Sequence, residues 1–268
     1  MKLLRTFATG LALIGAVSAA QAQERPDIVV AVPGIYRTME PIDGNSTNAS
    51  RIQSNIFDQI VTRNFAEDPE GAELRPALAT EWEQVDDLTW RFKIREGVTF
   101  HNGDAMTADD VAFSISEERV WGDNALVPAG KRYTESFASV SVIDPTTVEV
   151  KTTINDPNLP FRFLTPLGFV VPKAHYLEVG PEAFGQNPIG TGPYKVTGYD
   201  ATGFIKMEAF DDYWGGRPPL ASVEFRAVPE YSARIAGLVS GEFAMMADIP
   251  ADEVETVQSY DDITYIAR

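Results

Sequence analysis

Apolar positions along this chain change period several times, and each change predicts an element. The run DIVVAV from Asp27 to Val32 is apolar after its first residue and is closed by Pro33-Gly34, which predicts a buried strand. A polar loop fills Pro41 to Ser50. Ile52, Ile56, Phe57 and Ile60 then recur at helical spacing, so a helix is expected to open at Ala49 or Ser50. Leu74 to Trp82 reads as a turn and a short helix. Thr89 to Ile94 alternates polar and apolar residues, as a strand with one buried face does, and Gly97 ends it. Thr107 stands three residues ahead of Asp110, before Val111, Phe113 and Ile115. That is a capping-box helix start with a carboxylate at the positive end of the helix dipole.

The second half is more broken. Ser139 to Ile143 and Thr147 to Lys151 flank Asp144-Pro145 and predict a hairpin. Pro157, Pro160, Pro166 and Pro172 exclude a long helix over their stretch. Gly190-Thr191-Gly192-Pro193 punctuates the chain before strand-like Tyr194-Lys195-Val196 and Ile205-Lys206-Met207. Val223 to Val228 is a further strand, and Ser232 to Val239 a helix stopped by Ser240-Gly241. Strands and helices in this irregular order predict an α/β or α+β fold with mixed sheets. The proline-rich stretch from Pro157 to Pro193 is where a crossing between two lobes is expected.

At the start, Lys2 and Arg5 precede an apolar stretch from Phe7 to Val17, followed by the small-x-small triplet Ala20-Gln21-Ala22. The stretch is well short of the roughly 20 residues that a membrane-spanning helix needs. Residues 1–22 therefore read as a cleaved export signal, with Gln23 first in the mature chain. The chain has no cysteine, which removes both a disulfide framework and a lipid-modified cysteine at the cleavage site. A periplasmic protein without a membrane anchor is the expectation. The formal net charge of −17 makes nucleic acid and anionic lipid poor partners.

The passage from Leu74 to Ile115, LRPALATEWEQVDDLTWRFKIREGVTFHNGDAMTADDVAFSI, closely resembles the signature region of the peptide/nickel-binding family of ABC-importer solute-binding proteins. The resemblance rests on Pro76, Leu78, Ala79, Trp82, Trp90, Phe92, Arg95, Gly97, Phe100, Asn102, Gly103, Ala108, Asp110 and Val111. It continues in PIGTGPY from Pro188 to Tyr194 and in Asp212-Tyr213-Trp214-Gly215, leading to Pro218. It implies a periplasmic binding protein-like two-lobe clamp with mixed sheets, of which this chain holds the first lobe and its inserted domain. On that reading residues 23–50 open lobe I, 51–187 form the inserted domain, and 188–268 return to lobe I. The chain is then expected to stop before the second lobe, in a strand at Tyr265-Ile266-Ala267-Arg268. One departure is that Gly241-Glu242-Phe243 is followed by Ala244, where the family commonly has Asp; Asp248 is a partial substitute.

The implied role is capture of a short peptide or similar small solute by a monomer that hands it to an inner-membrane ABC permease, with no cofactor. A nickel chelate, an opine or a sugar stays open as the solute. An exported hydrolase is the rival class, and it requires a nucleophile beside a base. The two histidines, His101 in a turn and His175 at a helix start, offer no such pairing, and no ligand spacing for a metal accompanies them. Asp109 and Asp110 are explained by capping. Loops after strand ends supply contacts in clamps of this kind, so Tyr36, Asn45, Ser46 and Thr47 are the candidate ligand-binding residues. Gly190, Thr191, Gly192 and Pro193 match the family motif and are assigned to the crossing between lobes, where glycine allows backbone angles that other residues resist.

Overall fold

The computed structural model describes residues 25–266 apart from 45, 64–67, 69, 70 and 72, so the expected export signal lies outside the described residues. Strand β1 (Asp27–Val32) forms as its apolar run predicts. Helix α1 (Thr47–Ile56) begins two residues before Ala49, because the Ser46 hydroxyl accepts a hydrogen bond from the Ala49 amide at 3.0 Å and so caps it. Two short strands, β2 (Val61–Thr62) and β3 (Arg75–Pro76), pair with each other. The short helix expected over Leu74 to Trp82 is absent. Strand β4 (Ala79–Asp86) stands there instead, pairing antiparallel with β5 (Thr89–Ile94) and setting Trp82 opposite Phe92. Pairing with a neighbouring strand overrides the local helical preference of Ala-Leu-Ala.

Helix α2 (Ala108–Ser114) opens as its capping residues predict: the Asp110 carboxylate accepts from the Thr107 amide at 2.8 Å and its hydroxyl at 2.7 Å. The same carboxylate accepts from the Lys173 amide at 2.9 Å, which fixes a distant segment to this helix end. Strands β6 (Phe137–Asp144) and β7 (Thr147–Thr152) form the expected hairpin. Helix α3 (Leu159–Arg162) is a single turn among the prolines, and α4 (Lys173–Gln186) is broken where Gly180 takes φ 78° ahead of Pro181. Then follow β8 (Tyr194–Asp200), β9 (Phe204–Ala209), β10 (Ser222–Ala227), α5 (Tyr231–Ser240), β11 (Met245–Met246) and α6 (Val254–Gln258). Residues 263–266 are irregular and pair with no strand among the described residues, so the strand expected from Tyr265 does not begin there; Ala267 and Arg268 lie outside the described residues.

The strands make two main sheets. One is antiparallel, in the order β4-β5-β7-β6; the other is mixed, in the order β11-β1-β10-β9-β8, with β1 parallel to both β10 and β11. Each sheet owns a core. Trp90, Phe92, Val148 and Val150 of the antiparallel sheet meet Val111, Ile115 and Phe163. Val30, Val32, Ile205, Met207 and Phe225 of the mixed sheet meet Ile52 and Ile56 of α1 and Tyr176 and Phe184 of α4. Each such side chain contributes roughly 1.5–3 kcal/mol on full burial. The periodicity of α1 thus serves the mixed sheet, and so does α4, although most of both helices falls within 51–187.

A buried ion pair pins the loop after β1 to the rest. Arg119 and Glu40 are 0% and 1% exposed, and their side chains meet at 2.5 Å. The remaining oxygen of Glu40 accepts from the amides of Ile42 at 2.7 Å and Asp43 at 2.8 Å, while the Tyr176 hydroxyl donates to the first at 3.1 Å. Arg119 also donates to the Ser114 carbonyl at 2.6 Å. The loop after β1, the end of α2 and helix α4 are joined through these two charges.

Candidate functional site

Three parallel strands, β1, β10 and β11, end on the same edge of the mixed sheet, at Val32, Ala227 and Met246. Loops leaving the carboxyl ends of parallel strands are where open α/β sheets bind their ligands. Here those loops are residues 33–38, 228–230 and 247–250. Arg234 on α5, 4% exposed, holds two of them together. It donates to the carbonyls of Val228 at 2.8 Å and Pro229 at 2.7 Å, and to that of Asp248 at 3.2 Å.

Asp248 is the one non-glycine residue with positive φ among the described residues, at 59°. That conformation costs on the order of 1 kcal/mol for an L residue. Two contacts hold it: Arg234 on its carbonyl, and Arg51 of α1 on its carboxylate at 2.7 Å. Arg51 also donates to Asn48 at 2.8 Å, so the first turns of α1 are drawn to the same edge. Thr47, one helical turn before Arg51, shares its face.

Tyr36 lies in the first loop, half-buried against the core of the mixed sheet, and its carbonyl accepts a hydrogen bond from the Tyr199 hydroxyl at the end of β8. Burial, with the Asp200 carboxylate adding to it, pushes the Tyr199 hydroxyl pKa up to about 12. Tyr199 is therefore a fixed donor across the working pH range. The Ser46 hydroxyl is engaged in capping α1, Thr47 is exposed, and Asn45 lies outside the described residues. Reading the sequence did not single out Arg51, Arg234 or Tyr199. No motif marks them, and only the pairing of β1 with β10 and β11 brings their segments together.

The turn Gly190-Thr191-Gly192-Pro193 sits away from this edge, pressed on the end of α1. A Cβ on Gly190 would lie 2.0 Å from the Ile56 carbonyl oxygen, and one on Gly192 would lie 2.6 Å from the Ile56 carbonyl carbon. Thr191, fully buried, donates to Asp58 at 3.0 Å. Asp58 also accepts from the Tyr213 hydroxyl at 2.9 Å and the Trp214 indole at 2.7 Å. Burial pushes the Asp58 carboxyl pKa up, against these three bonds and the charge of Arg95, which stacks 4.4 Å from the Trp214 ring. The GTGP and DYWG motifs therefore converge on one half-buried carboxylate.

His101 bonds to backbone groups of that turn, and the His175 ring lies 6.3 Å from that of Phe184. No hydrogen bond among the described residues joins either histidine to a hydroxyl. No group of three or more His, Asp or Glu is arranged to hold a metal among the described residues, and no helix there is long and apolar enough to cross a membrane. A hollow of about 400 Å³ lies on the outer face of the antiparallel sheet, lined by Glu81, Trp82, Arg91 and Lys93. Arg91 is ion-paired to Glu149 at 3.0 Å, and the hollow belongs to the other sheet from the converging loops.

The family described as bacterial extracellular solute-binding proteins, family 5 Middle, matches residues 73–268. The glutathione-binding protein GsiB of Shigella dysenteriae is 30% identical over 271 aligned positions, covering 98% of this chain and 50% of that protein. Among solved structures, the oligopeptide-binding protein AppA of Bacillus subtilis, in complex with a nonapeptide, superposes with a TM-score of 0.77 at 25% identity. The match covers 89% of this chain and 47% of AppA. MoaA of A. tumefacien R10, in complex with mannopinic acid, gives 0.77 at 24% identity over 88% of this chain and 48% of its own. The chain thus spans about half the length of the relatives it matches.

Proposed function

Because the chain belongs to the bacterial extracellular solute-binding proteins of family 5, we propose that it contributes one wall of a clamp that captures short peptides, glutathione-like tripeptides among them, for an inner-membrane ABC permease. The observation that carries this reading is the convergence of three loops at the carboxyl edge of β1, β10 and β11. The lobe that bears this edge is built from residues 23–50 and 188–268 together with α1 and α4, which pack on its sheet, and the rest of 51–187 supplies the inserted domain. Tyr36, Ser46 and Thr47, with Arg51 beside them, line the solute's side of the wall. The turn from Gly190 to Pro193 forms the crossing and makes no solute contact. The clamp works in the periplasm, as a monomer, and releases its solute chemically unchanged.

A peptide suits such a wall because its backbone offers the same donors and acceptors whatever its side chains. Loop carbonyls and amides provide the matching groups, and Arg234 keeps two of the loops in register with each other. Thermal unfolding of the complete gene product, with di- to pentapeptides, glutathione, a nickel chelate and an opine as separate ligands, tests the assignment. A peptide at about a hundred times its Kd is expected to stabilise the protein by about 2.7 kcal/mol. An increase in Tm with the chelate or the opine and with none of the peptides contradicts it.

A further inference from the structure

His101 stands where the loop after β5 meets the turn at Gly190. Its Nε2 is 2.9 Å from the Gly192 carbonyl oxygen, and its Nδ1 is 3.3 Å from the Gly190 amide nitrogen. One species alone satisfies both contacts: a neutral imidazole that donates from Nε2 and accepts at Nδ1. The His101 amide adds a third bond, to the Gly190 carbonyl at 2.9 Å. The Phe210 ring packs edge-on against the imidazole, 5.2 Å between centroids, and covers one side of it, which leaves the ring half-buried. The glycines cannot retreat, since the Ile56 backbone lies directly behind them.

We propose that this joint is an acid-sensitive latch, in which a proton arriving at Nδ1 sets donor against donor and frees the turn from the loop. The surrounding charges give the cation little support. Lys195 of β8 faces the ring and repels it, although Glu208 of β9 pairs with that lysine at 3.2 Å. Asp104, on the same turn as His101, is held by the Asn102 amide at 2.6 Å. Asp58, reached through Thr191, has a carboxyl pKa raised by burial, so its negative charge fades as acid is added. Burial above all lowers the His101 pKa to about 4; the bond to Gly192 opposes this, and Lys195 adds to it.

The direction of the pH effect follows from that depression. The unfolded chain binds a proton near pH 6.5 and the latched state only near 4. The latch is therefore at full strength above about pH 6.5, weakens as pH falls, and is lost below about 4. The latch lies away from the carboxyl edge and does not depend on which solute is bound.

NMR of the whole chain decides the matter. Imidazole ¹⁵N shifts should report the Nε2–H tautomer, and the ring should titrate near 4. Amide protection at residues 101 and 190, whose N–H groups span the joint, should fall roughly a hundredfold between pH 7 and pH 4 after correction for intrinsic exchange. His101→Gln, which keeps a donor and an acceptor without a titrating charge, should remove that fall. A midpoint near 6.5, the Nδ1–H tautomer, unchanged protection, or an equal fall in His101→Gln overturns the proposal. Should the variant not fold, the wild-type tautomer and midpoint decide alone.

Discussion

Arg119→Met is expected to lower the free energy of unfolding by about 3–5 kcal/mol, read from the shift of the urea midpoint at constant slope. The substitution leaves the Glu40 carboxylate 1% exposed and without its counter-ion. Two backbone amides and the Tyr176 hydroxyl still bond to it. Those dipoles offset only part of the cost of burying a lone charge. The double change Glu40→Gln with Arg119→Met removes both charges, and much of the loss should return, since a buried pair adds little over a neutral replacement of similar volume. If the single variant loses less than about 1 kcal/mol, as an exposed pair would, the joint between the loop after β1 and helix α4 has been misjudged.

Gly190→Ala should have a comparable effect for a steric reason. The new methyl would lie 2.0 Å from the Ile56 carbonyl oxygen and 2.7 Å from the Phe57 ring. Backbone at the end of α1 cannot move aside as a flexible side chain can, so a loss of about 3 kcal/mol is expected. Gly34→Ala is the matched control, because nothing lies within 4 Å of a Cβ there. It should fall within about 0.5 kcal/mol of the parent. Equal stability of the two variants, by urea denaturation, would remove the argument that the GTGP turn is clamped against α1.

Much of the fold was legible in the chain because its signals are local. The alternation from Thr89 to Ile94, the hairpin around Asp144-Pro145 and the Thr107–Asp110 cap each need only a few neighbouring residues to be read. Strand β4 departs from the short helix that the sequence predicts because Ala77-Leu78-Ala79 is helix-prone, and the β5 edge that captures it is a tertiary feature. Helix α1 opens before its apolar periodicity does because its cap, Ser46, stands ahead of that periodicity.

The candidate site was legible only in outline. That Tyr36 follows a strand end could be read directly. Arg234, Arg51 and Asp248 come from segments that meet only through parallel pairing, which leaves no periodic trace. Asp248 drew notice only as a stand-in for an acid expected at Ala244. Its left-handed backbone, held by two arginines, emerges from the fold alone.

The most direct measurement titrates the ¹⁵N-labelled chain with a short peptide, glutathione among those tried, into the tens-of-millimolar range, and then recovers the peptide for mass analysis. Amide shifts confined to residues 33–38, 228–230 and 247–250 and to the first turn of α1, with the peptide recovered intact, are the predicted result. Shifts clustered on the outer face of the antiparallel sheet, no shifts at all, or a cleaved peptide would contradict it.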